Sequence, residues 1–123
     1  MSQTLTQSKV VQIHDLASSL GSGKADVFST PMMIAFMEQT AEQCIANDLP
    51  QGDITVGTLV NIKHLAAAPL GATVTCQAQL LKQEGSQYVF DVKVWHNNKL
   101  LGEGIHHRAK VNKERFEKRV NNE

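Results

Sequence analysis

At Gly52 the spacing of apolar residues changes, and that change restricts the fold more than any other feature of the chain. Before it, apolar side chains crowd a helical segment; after it, they alternate with polar ones. Val74, Cys76, Ala78 and Leu80 alternate with Thr73, Thr75, Gln77 and Gln79, and Tyr88, Phe90, Val92 and Val94 repeat the pattern against Gln87, Asp91 and Lys93. A period of two marks strands with one buried face. Ile54, Val56, Val60 and Ile62 are expected on one face of an earlier strand, with His64 continuing that face. Asn97-Asn98 forms a hairpin turn into a last strand over Leu100–Val111. A short strand is expected at Val10–Ile13, followed by a Ser/Gly-rich loop, and the charged tail over 112–123 reads as a frayed helix.

Ser29-Thr30-Pro31 opens the helix, with Thr30 as the expected N-cap and Pro31 at the first helical position. Met32 to Met37 are apolar on every side, so the helix, running to about Asn47, is expected to be wrapped rather than docked. Asn47, Asp48, Pro50 and Gly52 end it. One strand, one buried helix and a meander of four antiparallel strands describe an α+β chain whose sheet curls around a central helix, the hotdog architecture. A curled sheet leaves edge strands open, which predicts pairing with a second copy in a homodimer or larger homo-oligomer. The 123 residues form one expected domain, 1–123.

Twelve basic and twelve acidic residues cancel. No global field draws the chain to nucleic acid or an anionic membrane surface. Cys44 and Cys76 lie far apart without metal-ligand spacing and are expected to be buried free thiols, and no metal or separate cofactor is called for. His106 and His107 are adjacent, so they point to opposite faces of a strand and do not suit a shared metal. Met1 to Val10 are polar and no apolar run reaches the length of a membrane span, which gives a cytoplasmic expectation.

Thr30, Glu38 and His64 stand out chemically. A hydroxyl, a carboxylate and an imidazole supply attack, proton movement and orientation for acyl transfer. Each has a plainer reading. For Thr30 it is a helix cap alone, for Glu38 a place on a solvated helix face, and for His64 a satisfied core histidine. Gly57 is either a bulge or packing glycine or a point of close ligand approach. Arg108 is either a solvated edge residue or a phosphate ligand.

The run Val27-Phe28-Ser29-Thr30-Pro31-Met32-Met33-Ile34-Ala35-Phe36-Met37-Glu38-Gln39, the segments Val56-Gly57-Thr58 and Val60-Asn61-Ile62-Lys63-His64-Leu65-Ala66-Ala67, and Gly102-Glu103-Gly104-Ile105-His106-His107-Arg108 resemble the fluoroacetyl-CoA-thioesterase-like family of hotdog proteins. The resemblance spans about Val27 to Val111. It implies that Thr30, Glu38 and His64 form the catalytic constellation, that the thioester carbonyl meets the backbone at Gly57, and that Arg108 is substrate-binding. It also implies an acyl-CoA substrate. Members specialised for fluoroacetyl groups resemble one another in a bulky aromatic segment before the catalytic helix, where this chain has Leu20-Gly21-Ser22-Gly23-Lys24. The implied activity is therefore that of a general acyl-CoA thioesterase.

Eight helical residues rise about 12 Å, so Thr30 at the helix start cannot touch Glu38 within one regular helix. Either the first turn is irregular, with Thr30 folded back, or the substrate lies between the two across a subunit interface, which is the easier resolution. A hotdog dehydratase or hydratase and a non-catalytic acyl-CoA-binding protein are the alternatives. The chain has no His-Phe-Pro motif, which counts against a dehydratase.

Overall fold

The computed structural model describes residues 3–123. Alternation builds the floor of the core as the sequence predicts: in β3 (Thr73–Glu84) Val74, Cys76 and Ala78 are buried, and in β4 (Gln87–His96) Tyr88, Phe90, Val92 and Val94 are buried. Each large apolar side chain removed from water contributes about 1.5–3 kcal/mol, so this face is a main source of folding energy. β4 turns at Asn97, whose positive φ of 55° suits the asparagine of a tight hairpin, into β5 (Lys99–Asn112).

The sheet differs from a four-strand meander. Its order is β1-β3-β4-β5-β2, all antiparallel, with β1 (Gln3–Val10) beside β3 and β2 (Asp53–His64) beside β5. Only β3, β4 and β5 form a meander; β2 crosses to the far edge. The strand expected at Val10–Ile13 ends at Val10, and a single 3-10 turn occupies Ile13–Asp15. A short helix, α1 (Ala17–Leu20), then stops at Gly21, whose φ of 87° is costly for any residue with a Cβ.

A bulge between Gly57 and Leu59 overturns the single-face reading of β2. Val60, Ile62 and His64 pair with His106, Gly104 and Gly102, while Gly57 pairs with Arg108. The extra residue reverses the alternation. Thr55 and Gly57 therefore share the helix side with Val60, Ile62 and His64, and Ile54 and Val56 face outward.

The main helix, α2 (Thr30–Ala46), lies against the sheet through Met33, Phe36, Met37, Thr40, Ala41 and Ile45, all buried. Pro31, Ala35 and Gln39 are exposed, so within one chain the helix is docked on one face rather than wrapped. Gly102 permits the close approach, since a Cβ there would meet the Met33 thioether at 2.5–2.6 Å. Below the helix start, the buried Asp15 carboxylate binds Lys9 Nζ at 2.9 Å and accepts from the Gln12 backbone N–H at 2.8 Å. Burial alone would raise its pKa, but these donors outweigh it and hold the carboxyl below its ordinary range. The carbonyl of Asp15 receives the Ser29 N–H at 2.9 Å, tying this network to the first turn of α2. The charged tail forms α3 (Lys113–Asn121), capped by Asn112, whose Oδ1 accepts from the Arg115 backbone N–H at 3.0 Å. Cys76 is buried and Cys44 half-buried, both free.

Candidate active site

Ser29, not Thr30, caps α2. The Ser29 Oγ accepts from the Met32 N–H at 3.2 Å, and Thr30 is already helical. One hydroxyl satisfies the helix end. The next is free for other work: Thr30 Oγ1 lies 2.6 Å from His64 Nδ1 at the end of β2. The pair lines an open cavity of about 320 Å³ with Leu65, Ala66 and Ala67. Nε2 of His64 is buried and has no hydrogen-bond partner among the described residues. Burial lowers the His64 pKa below its ordinary 6.5, with the Ala66 backbone acting more weakly in the opposite direction. The imidazole is therefore predominantly neutral at neutral pH and available to accept a proton.

Glu38 sits two turns further along α2, beside a different set of partners. Its Oε2 lies over Gly57, where an added Cβ would come within 2.8 Å of that oxygen, 3.3 Å of His106 Cε1 and 3.6 Å of Arg108 Nη1. The missing side chain at Gly57 leaves room for the carboxylate against the strand. Arg108, expected either at a solvated edge or on a phosphate, is only 6% exposed. Its Nε donates to Thr55 Oγ1 and its Nη2 to the Thr55 carbonyl, both at 2.8 Å, while Nη1 lies 3.1 Å from His106 Nε2. A buried guanidinium thus faces the carboxylates of Glu38 and Glu42, which oppose the effect of burial on its pKa.

The five residues singled out from the sequence fall into two groups. Thr30 and His64 meet at the start of α2; Glu38, Gly57 and Arg108 meet further down. The offset of eight positions from Thr30 to Glu38 separates the groups by a helical rise of about 12 Å. Sequence reasoning missed His106 as a member of the second group, and it missed Thr55, which holds Arg108. The parity of β5 contained a signal for the first: His106 and Arg108 are two apart and share a face. Thr55 had none, because the bulge that turns it inward leaves no mark in the hydrophobic pattern.

A curled antiparallel sheet packed on one long helix is the hotdog fold, and its likeness to known proteins places the chain among the thioester hydrolases of that fold. A family described as "Fluoroacetyl-CoA-specific thioesterase" matches residues 11–114, and the chain belongs to that family. It is 34% identical over 95 residues to the fluoroacetyl-CoA thioesterase of Streptantibioticus cattleyicolor, covering 77% of this chain and 68% of the relative. Among solved structures, the fluoroacetyl-CoA thioesterase FlK superposes with a TM-score of 0.94 at 29% identity, covering 100% of this chain and 96% of that one. A hot-dog-like protein from Thermanaerovibrio acidaminovorans gives a TM-score of 0.88 at 26% identity, with 97% and 88% covered.

Proposed function

We propose that the protein hydrolyses the thioester of a small acyl-CoA at a site built from two copies of the chain. Thr30 and His64 come from one copy, and Glu38, Gly57 and Arg108 from the other. The observation that carries this reading is the 2.6 Å contact between the Thr30 hydroxyl and the His64 imidazole in an open cavity. Support for the shared site comes from the edge position of β2 and from Leu59, Val60 and Leu65, which are 43%, 47% and 52% exposed on or just after it. Antiparallel pairing of β2 with its copy about Val60 and Asn61 carries the His64 end of one strand toward the Gly57 end of the other, closing the 12 Å gap noted above.

The chemistry follows from the two groups. Thr30 Oγ attacks the thioester carbonyl carbon while His64 takes its proton, and the developing oxyanion lies at the Gly57 backbone. The C–S bond breaks, and the departing thiolate takes the proton from His64. Water then attacks the acyl-threonine ester, giving a proton to Glu38. The carboxylic acid leaves, and that proton returns to the Thr30 oxygen. Arg108 supplies a fixed positive charge beside the carboxylate and the acyl end. No cofactor beyond the substrate's own coenzyme A takes part. A coenzyme A ester accords with the cytoplasmic placement expected from the sequence.

Subunit complementation tests the reading. Thr30→Ala and Glu38→Gln proteins, each inactive alone, are mixed and allowed to exchange subunits. A shared site regenerates one intact centre per mixed dimer and restores turnover of short-chain acyl-CoA esters. Absence of recovery despite verified exchange refutes the shared site. A wild-type protein that binds acyl-CoA esters without turning over any across short, branched, aromatic and long chains supports a non-catalytic binder instead.

A further inference from the structure

His106 belongs to no step above, yet it is 1% exposed and contacts both Arg108 and the bulged strand that carries Gly57. Its Nδ1 lies 2.8 Å from the carbonyl oxygen of Leu59, the residue that closes the β2 bulge. A carbonyl only accepts, so Nδ1 carries the hydrogen. Its Nε2 lies 3.1 Å from Arg108 Nη1, and a guanidinium only donates, so Nε2 presents its lone pair. Both nitrogens are satisfied by one tautomer of the neutral ring. Phe90 holds that ring from one side, with centroids 6.4 Å apart and planes 29° from parallel. The Cε1 edge faces Gly57.

We infer that His106 is a positioning residue for the catalytic carboxylate: one ring nitrogen fixes the bulge that presents Gly57, and the other fixes the guanidinium of Arg108 beside Glu38. The inference rests on the thioesterase reading of Glu38 and Gly57. Bulges commonly re-aim side chains next to active sites, and this one is tied down from the neighbouring strand by a side chain rather than only by the backbone ladder. Because the two contacts share one rigid ring, a displacement of the bulge moves Arg108 as well.

The two contacts separate by substitution. The amide of His106→Asn reaches the place of Nδ1, keeping a donor for Leu59 and leaving Arg108 without its acceptor. The amide of His106→Gln reaches the place of Nε2 and does the reverse. Each variant is expected to lower kcat by about tenfold or more with KM nearly unchanged, since a misplaced catalytic group costs rate rather than binding. Assays run well below both melting temperatures remove simple unfolding from the comparison. Wild-type kcat in both folded variants, or a rise in KM at constant kcat, overturns the inference.

A second readout does not depend on turnover. Nitrogen-15 spectra of the histidine rings should show His106 at neutral pH as the less common tautomer, with hydrogen on Nδ1 and none on Nε2. Its signals should change in Arg108→Lys. A ring protonated on Nε2, alone or together with Nδ1, overturns the clamp whether or not thioesters are hydrolysed. If the wild-type protein turns over no thioester while the ring has the expected tautomer, the clamp stands and the parent reading of Glu38 falls.

Discussion

Thr30 Oγ1 and His64 Nδ1, thirty-four positions apart in the chain, are hydrogen-bonded at 2.6 Å where the first turn of α2 meets the last residue of β2. The contact exists because Ser29 takes over the capping of the helix and releases the Thr30 side chain. Adjacent hydroxyls therefore have different partners, the helix end for Ser29 and an imidazole for Thr30.

Ser29→Ala should lower stability by about 1 kcal/mol, the usual cost of a lost N-cap, while leaving most of kcat. Thr30→Ala should do the opposite, keeping the melting temperature and lowering kcat by about 100-fold or more. Thermal melts and steady-state rates on the two purified variants check this. A Thr30→Ala protein with wild-type turnover excludes the hydroxyl from the reaction.

Glu38→Gln keeps the shape of the side chain and removes its charge. Turnover should fall by about 100-fold or more with the fold retained, as judged by circular dichroism. Glu38→Ala and His64→Ala should be strongly non-additive, since groups acting as a unit are not lost twice. A double variant whose loss equals the product of the single losses argues against coupling.

Gly57→Ala places a methyl group 2.8 Å from Glu38 Oε2, where the flexible carboxylate end moves more readily than the strand. The expected result is a folded protein with a large fall in kcat and an altered Glu38 position in its crystal structure. Wild-type kcat/KM in Gly57→Ala would show that the close approach has no catalytic role.

Burial lowers the pKa of both His64 and His106 below their ordinary 6.5. Between the lowered folded value and the ordinary one, the unfolded chain binds more protons than the folded chain. The histidine contribution to stability is therefore full above about pH 6.5, falls as the pH drops through that interval, and levels off below the folded value. The acid limb of kcat/KM should likewise have an apparent pKa below 6.5, because neutral His64 accepts the proton. Urea midpoints and pH–rate profiles measure both, and an acid limb above that value counts against neutral His64 as the base.

Val60→Lys introduces a charge at an exposed apolar position on the edge strand β2. Monomerisation in sedimentation experiments should accompany loss of turnover. A monomer that retains full kcat would mean that one chain contains the whole site.

The period-two pattern of β3 and β4 was legible in advance because those strands lie in the interior of the sheet, where one face meets the core and the other does not. β2 was misread for the converse reason. It is an edge strand with a bulge, and inserting one unpaired residue reverses which side chains face inward without altering composition. The order of the strands was also hidden, since whether β2 neighbours β3 or β5 depends on long-range pairing. The overall helix was readable from Ser29-Thr30-Pro31, but not which hydroxyl caps it, because a shift of one residue leaves the local pattern equally favourable.

Spacing and residue type alone made legible an apolar helix followed by alternating strands, with a hydroxyl, a carboxylate and an imidazole on those elements. Periodicity and residue chemistry are local properties that the chain carries in any conformation. The company those groups keep follows from packing in three dimensions: Thr30 with His64, and Glu38 with Gly57, His106 and Arg108. The bulge in β2, the pairing of β2 with β5 and the close seat of α2 on Gly102 create those contacts. Each depends on residues distant in sequence meeting at hydrogen-bond or van der Waals range, which no local pattern records.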